Sequence, residues 1–242
     1  MSRLFVGTSG WNYPHWADGV FYPEGLTQTK WLEYYTRFFN CVELNVTFYR
    51  SIRRKVFENW NKRTPENFSL VAKGPRFITH VKKLKIEKKS LDLFMDSCTG
   101  LKEKLAAILW QLPPAYKKDL VRLTAFLKLL KKTKIRQVFE FRNETWFDGN
   151  VYALLKEHNA CLCIAHSGRF PCIKEVTADF LYLRFHGSGS VLYSDNYSDR
   201  ELKAWADFAK TFKRKDIFAF FNNDACGYAV RNALKFRKLL EG

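Results

Sequence analysis

Eight short runs rich in β-branched, aromatic and aliphatic residues recur along this chain, and most of the intervals between them carry a helical period. The runs are Leu4–Thr8, Cys41–Tyr49, Phe68–Lys73, Ala106–Leu112, Gln137–Arg142, Cys161–His166, Phe180–His186 and Ile217–Asn222. Strands separated by helices must pair in parallel, because each return over the sheet takes a helix-length crossover. Eight such units in 242 residues predict an α/β chain folded as a (β/α)8 TIM barrel, with residues 1–242 as one domain. A doubly wound open sheet is the rival. It wants a glycine-rich turn opening a helix after the first strand, and Gly7-Thr8-Ser9-Gly10 runs instead into Trp11-Asn12-Tyr13-Pro14.

The helical intervals can be placed from their apolar stripes. Thr29–Phe39 is amphipathic, and Ser51 is placed to cap a helix that buries Ile52, Val56 and Trp60. Leu91, Phe94, Met95, Cys98, Leu101 and Leu105 form one stripe, and Leu120, Leu123, Phe126, Leu127 and Leu130 another. Ser198-Asp199-Arg200-Glu201 reads as a capping box. Only Ser167–Asp179 lacks a clear period and holds Gly168 and Pro171, so the crossover between strands six and seven is expected to be irregular.

Composition excludes several classes. A chain that is 47% hydrophobic and 17% aromatic is not intrinsically disordered. Its apolar runs, such as Ala106–Trp110 and Ile217–Phe221, fall well short of the ~18–20 residues of a membrane span. The start reaches Gly7 after three apolar residues, without a secretory apolar region, and six cysteines are too few for a disulfide scaffold. A cytoplasmic protein with reduced thiols and no membrane partner is the expectation. The net charge of +17 suits nucleic acid, anionic lipid or phosphorylated metabolites equally, or simply a lysine-rich solvated surface. The densest basic cluster, Lys82, Lys83, Lys85, Lys88 and Lys89, encloses Leu84 and Ile86 and reads as a solvated loop or helix start.

Strand parity says where the polar residues point. Residues two apart share a face, so Glu43, Asn45 and Thr47 lie opposite Val42, Leu44, Val46 and Phe48. In the same way Glu140 and Arg142 oppose Phe139 and Phe141, and Arg184 and His186 oppose Leu183 and Phe185. Helices cover the outside of a barrel, so the apolar set should face them and the polar set the interior. These polar residues cluster toward the C-terminal ends of their strands, where (β/α)8 enzymes build their sites. Lys73, Gln111, Asn222 and Asn223 end three more strands in polar groups.

Spaced motifs run nearly from end to end. They are Gly7-Thr-Ser-Gly-Trp11 with Tyr13 and Trp16, Phe21-Tyr-Pro23, Trp31, Tyr34-Tyr35, Phe38 and Val42-Glu-Leu-Asn-Val-Thr-Phe-Tyr49. Trp60, Thr64-Pro65, Phe68, Lys73, Pro75-Arg76 and Ile78-Thr-His80 follow. The later half adds Gln111-Leu-Pro-Pro114, Glu140-Phe-Arg142, Trp146, Tyr182-Leu-Arg-Phe-His-Gly187, Phe221-Asn-Asn-Asp224 and Gly227-Tyr-Ala229. On these residues the chain resembles the family known as domain of unknown function 72, the YecE-like proteins. The resemblance implies a TIM barrel and carries over no reaction. One departure stands out: His166-Ser167 follows strand six where the family has an Asp-Ser-type pair.

The leading expectation is an enzyme whose mouth binds an anionic, phosphorylated or sugar-like substrate. Glu43 and His186 are the acid–base candidates, and Glu140 orients them. Arg142, Arg184 and Lys73 hold the anion, since guanidinium forks match carboxylate or phosphate. Asn45, Gln111, Asn222, Asn223 and Trp11 complete the binding set. The competing reading of the same charges is a buried ion-pair network without a ligand. Glu43 with Glu140 also has the composition of a glycosidase pair, although Arg142 tends to keep Glu140 ionised. Lys73 is either an ion-paired anion clamp or, if desolvated beside another cation, a Schiff-base amine. The aromatic first loop, Trp11, Tyr13, Trp16 and Tyr22, either covers a substrate ring or packs on itself. No cofactor and no metal centre are assigned. Glu43, Glu140 and His186 would be the ligands of a divalent ion, and Cys161-x-Cys163 with Cys172 is too open for zinc or iron–sulfur. The second expectation, from another class, is a nucleic-acid-binding protein or nuclease that uses the basic surface.

Overall fold

The computed structural model describes residues 2–212 and 214–242. Its strands are β1 (Leu4–Thr8), β2 (Cys41–Leu44), β3 (Ser69–Lys73), β4 (Leu105–Gln111), β5 (Arg136–Glu140), β6 (Cys161–Leu162), β7 (Ile164–His166), β8 (Phe180–Phe185) and β9 (Asp216–Phe221). The helices are α1 (Trp31–Tyr35), α2 (Val46–Tyr49), α3 (Arg54–Lys62), α4 (Lys88–Cys98), α5 (Leu120–Leu130), α6 (Gly149–Glu157), α7 (Asp199–Lys210) and α8 (Tyr228–Glu241). Every ladder is parallel, as the alternation of strand and helix requires.

The ladders form two sheets, β1-β9-β8-β7 and β2-β3-β4-β5-β6, rather than one closed ring. The sheets meet at two seams. At the first, the expected sixth strand splits at Cys163: β6 pairs with β5, β7 pairs with β8, and Cys163 N–H still donates to Phe139 O at 2.8 Å. At the second, between β1 and β2, side chains stand in for the ladder. The Asn40 amide donates to Leu4 O at 2.6 Å and accepts from Val6 N–H at 3.3 Å, as a peptide group would. The Tyr35 hydroxyl accepts from Thr8 N–H at 2.9 Å and lies 3.1 Å from Cys41 O, to which it donates. Gly7 is required at this seam, because a Cβ there would stand 2.2 Å from Cys41 O.

Three local expectations are corrected. Cys41–Tyr49 is not one strand. The chain leaves the sheet at Leu44, and Thr47 Oγ1 donates to both Leu44 O (2.7 Å) and Lys73 O (2.6 Å), stabilising the turn of α2. The next helix starts after Arg53 rather than at Ser51 and has no side-chain cap; Phe57 and Trp60 turn inward and Val56 is 38% exposed. Leu105 belongs to β4 rather than to the preceding helical stripe. The capping box at Ser198 and the helix-free stretch between β7 and β8 both form as expected.

Strand parity divides the apolar residues into two clusters. Val6, Val42, Leu70, Ile108, Phe139, Leu183 and Phe221 pack toward the helices. Phe5, Cys41, Val71, Leu109, Val138, Phe180, Tyr182, Phe218 and Phe220, drawn from both sheets, form a separate inner cluster. Glu43, Lys73, Gln111, Glu140 and Arg184 have the parity of the inner cluster, and all are buried. No helix among the described residues is long and apolar enough to cross a membrane. The six cysteines are unpaired.

Candidate functional site

Because the strands are parallel, the last inward residues of β2, β3, β5 and β8 gather at one end of the molecule. Arg184, on β8, stands between two carboxylates. Its Nη2 donates to Glu43 Oε1 at 2.6 Å, and its Nη1 donates to Glu140 Oε2. Glu43 accepts a second bond from the Tyr182 hydroxyl at 2.7 Å, and Glu140 a second from Arg142 Nε at 2.7 Å. Burial would raise the Glu140 pKa, but Arg184 and Arg142 outweigh it and hold the carboxyl well below the usual carboxylate range. Both guanidinium ends of Arg184 are therefore spent within the protein. Its Nε is buried and has no hydrogen-bond partner among the described residues.

His186 follows β8. Its Nε2 lies 3.7 Å from Glu140 Oε1, and its Nδ1 lies 3.2 Å from the Asn222 amide nitrogen. Burial, reinforced by Arg184, lowers its pKa to about 4, so the ring is neutral at pH 7. The Asn222 amide nitrogen faces Nδ1 and Arg184 Nη1 lies 3.5 Å from Nε2, so a donor stands at each ring nitrogen. Two cations are left with capacity. Arg142 uses only its Nε, rests 4.7 Å over the Phe170 ring, and has no bond on its two terminal nitrogens among the described residues. Lys73 forms no hydrogen bond or ion pair among the described residues, and its amine stands 4.3 Å from the Phe48 ring centroid. Burial, then the repulsion of Arg184, lowers its pKa to about 7.

The other predicted residues take varied positions. Gln111 has inward parity and donates to Leu112 O at 2.9 Å. Asn45 donates to Ser9 O at 2.9 Å and leaves its buried carbonyl oxygen without a partner. Asn223 is turned away into a structural network, donating to Asp195 O (2.8 Å) and to Asn232 Oδ1 of α8 (2.7 Å). Trp11 packs edge-on against Trp60 at 5.5 Å. Trp16 and Tyr22 are fully buried, so much of the aromatic first loop packs on itself. His166 lies on the helix-facing side, its Nδ1 2.8 Å from the Tyr197 hydroxyl and its ring against Trp205, so the departure at this position leaves the charged cluster untouched. The nitrogens of Arg184 occupy the space where a cation shared by Glu43 and Glu140 would sit, and no group of metal-binding side chains gathers among the described residues.

Two participants were not singled out from sequence. Tyr182 precedes Arg184 by two residues on β8, so the same parity rule reaches it. His80 sits in the turn Phe77–Val81 after β3, with its ring 4.9 Å from Phe48. Burial, then the charge of Lys73, lowers its pKa to about 4; the motif Ile78-Thr-His80 marks the position, but strand parity does not reach it because it lies in a turn.

Known proteins share this arrangement of strands. The chain is 28% identical to UPF0759 protein YunF of Bacillus subtilis (strain 168), over 98% of this chain and 95% of that protein. It is 29% identical to UPF0759 protein YecE of Escherichia coli (strain K12), over 47% of this chain and 39% of that protein. The crystal structure of a DUF72 family protein from Thermotoga maritima MSB8 superposes with a TM-score of 0.87 at 31% identity, covering 99% of this chain and all of that one. A DUF72 family protein from Enterococcus faecalis V583 shares the fold at a TM-score of 0.83 and 22% identity, covering 100% of this chain and 96% of that one. Residues 5–242 match the family described as protein of unknown function DUF72, and the chain belongs to that family.

Proposed function

We propose that this protein is a (β/α)8-barrel enzyme that binds a small anionic substrate, phosphorylated or sugar-like, at the C-terminal ends of its strands and acts on it by acid–base chemistry. Support for the barrel comes from the seams. Asn40 and Tyr35 join β1 to β2 as ladder bonds would, and one chain segment carries β6 and β7 into both sheets.

The observation that carries the functional reading is the unequal use of cations. Arg184 is consumed by Glu43 and Glu140, whereas Arg142 keeps two free terminal nitrogens and Lys73 has no carboxylate partner among the described residues. Neither the Lys73 amine nor the outer nitrogens of Arg142 are among the buried polar atoms that lack a partner, so these unused donors reach solvent and are open to a ligand from outside the chain. Arg142 and Lys73 form the anion site in this reading, and Arg184 positions the two carboxylates. Lys73, titrating at about 7, is the group able to gain or lose a proton near neutrality. Glu140 stays ionised and is no general acid, which disfavours a glycosidase pair.

Thermal unfolding in phosphate or sulfate tests this reading. Protection should reach about 2.7 kcal/mol at a hundredfold excess over Kd. Arg142→Ala should abolish it, and Lys85→Glu, on the exposed surface, should leave it intact. Oligonucleotide binding with a steep salt dependence and no protection by small anions would instead support the nucleic-acid reading.

A further inference from the structure

We infer that Lys73 is a covalent nucleophile whose Nζ condenses with the carbonyl carbon of a small oxo compound, while the anionic group of that compound sits on Arg142. The inference rests on the anion site proposed above and goes further, in assigning a substrate class and a bond.

Two buried lysines in this protein make the argument by contrast. Lys104 is 6% exposed, and its ammonium donates to Asn61 O (2.5 Å), Thr64 O (2.7 Å) and Thr64 Oγ1 (3.2 Å). That is the behaviour of a structural lysine, with three donors and three acceptors. Lys73 is 7% exposed at the last, inward position of β3, and its amine meets a ring face and no acceptor among the described residues. Arg184 and Arg142 supply positive charge around it, against the opposing carboxylates of Glu140 and Glu43, and Arg76 and Arg142 do the same around its neighbour His80. Desolvation beside other cations is the setting in which a lysine gives up its proton and becomes a nucleophile. Its pKa of about 7 agrees. Phe48, the ring under the amine, also lines a cavity of about 590 Å³ with Thr47, Pro75, Arg76 and Phe77.

The chemistry balances without a cofactor. The Nζ lone pair forms the C–N bond, and the two amine protons leave with the carbonyl oxygen as water. The imine that remains takes a proton from solvent.

The test is reductive trapping of the whole protein with sodium cyanoborohydride and intact-mass measurement, with pyruvate as the carboxylate probe and dihydroxyacetone phosphate as the phosphate probe. The expected result is one adduct, heavier by the mass of the probe less one oxygen atom, mapped by peptide digestion to Lys73. Its formation should rise through about pH 7, since at that pH a lysine with the Lys73 pKa is neutral about a thousandfold more often than an ordinary one. Lys73→Arg, shown by its melting curve to be folded, should form no adduct, and Lys85→Arg should form it normally. Whichever probe reacts identifies the anionic group. An equal adduct on Lys73→Arg, mapping to other lysines, or a rise only near pH 10 overturns the inference. Protection by phosphate without an adduct from either probe also overturns it and leaves the anion site standing. Loss of both phosphate protection and adduct removes the anion site as well.

Discussion

The two ends of the strand interior use arginine in opposite ways. At the N-terminal end, Asp216 accepts from Arg136 Nη2 at 2.7 Å, from Arg3 Nη2 at 3.0 Å and from the Arg3 backbone N–H at 2.8 Å. Arg136 also lies 5.1 Å over Phe180 and 5.5 Å over Phe218, which stacks on Phe5 at 4.4 Å. That end is a seal of aromatic surface closed by one shared carboxylate. At the C-terminal end, Arg184 bonds Glu43 and Glu140 through its two terminal nitrogens, whereas Lys73 and the outer nitrogens of Arg142 have no partner among the described residues. The difference separates a device for stability from charges held ready for something outside the chain.

Removing Arg184 breaks that comparison most severely. Arg184→Met would leave Glu43 and Glu140 buried without their shared cation and should cost about 3–5 kcal/mol in urea unfolding. A loss near zero would mean that Arg184 does not hold the two carboxylates in place.

Acid acts on the same end. His186 has a folded pKa of about 4 against 6.5 in the unfolded chain, so between these values the unfolded state binds the extra proton. Stability is fully present above pH 6.5 and falls as the pH drops toward 4, by about 2 kcal/mol from this group between pH 6.5 and 4.5. His186→Asn should flatten the slope of the urea midpoint over that range. Glu140, held low by Arg184 and Arg142, adds a loss of the same sign below the usual carboxylate range.

The N-terminal end should respond least and in one observable only. Phe218→Leu thins the stack on Phe5 and should cost about 1–2 kcal/mol. Phosphate protection and the acid slope should both be unchanged. A change in either would show that the ends are coupled.

How far the sequence reached follows from the range of each interaction. The inward placement of Glu43, Lys73, Gln111, Glu140 and Arg184 was legible because strand parity is a local rule. The rule failed at Asn45 and Thr47, where a hydroxyl bond to Lys73 O supports a turn that alternation does not encode. It also could not reveal that Arg184 spends itself on Glu43 and Glu140, partners 141 and 44 residues away across other strands. The split into two sheets was equally hidden, since it depends on Asn40 and Tyr35 acting in place of backbone. Trp11 and Asn223 end as packing and loop-anchoring residues, because aromatic or amide character gives no hint of which neighbour is nearer.

The central claim is that Lys73 is an idle cation awaiting an anion. The most direct measurement is a titration of its amine by heteronuclear NMR on lysine-labelled protein, with and without phosphate, assigned through Lys73→Arg. The predicted result is a midpoint of about 7 without phosphate, moving upward when phosphate binds, because a neighbouring anion favours the ammonium. An ordinary lysine midpoint near 10 that phosphate does not move would contradict the account.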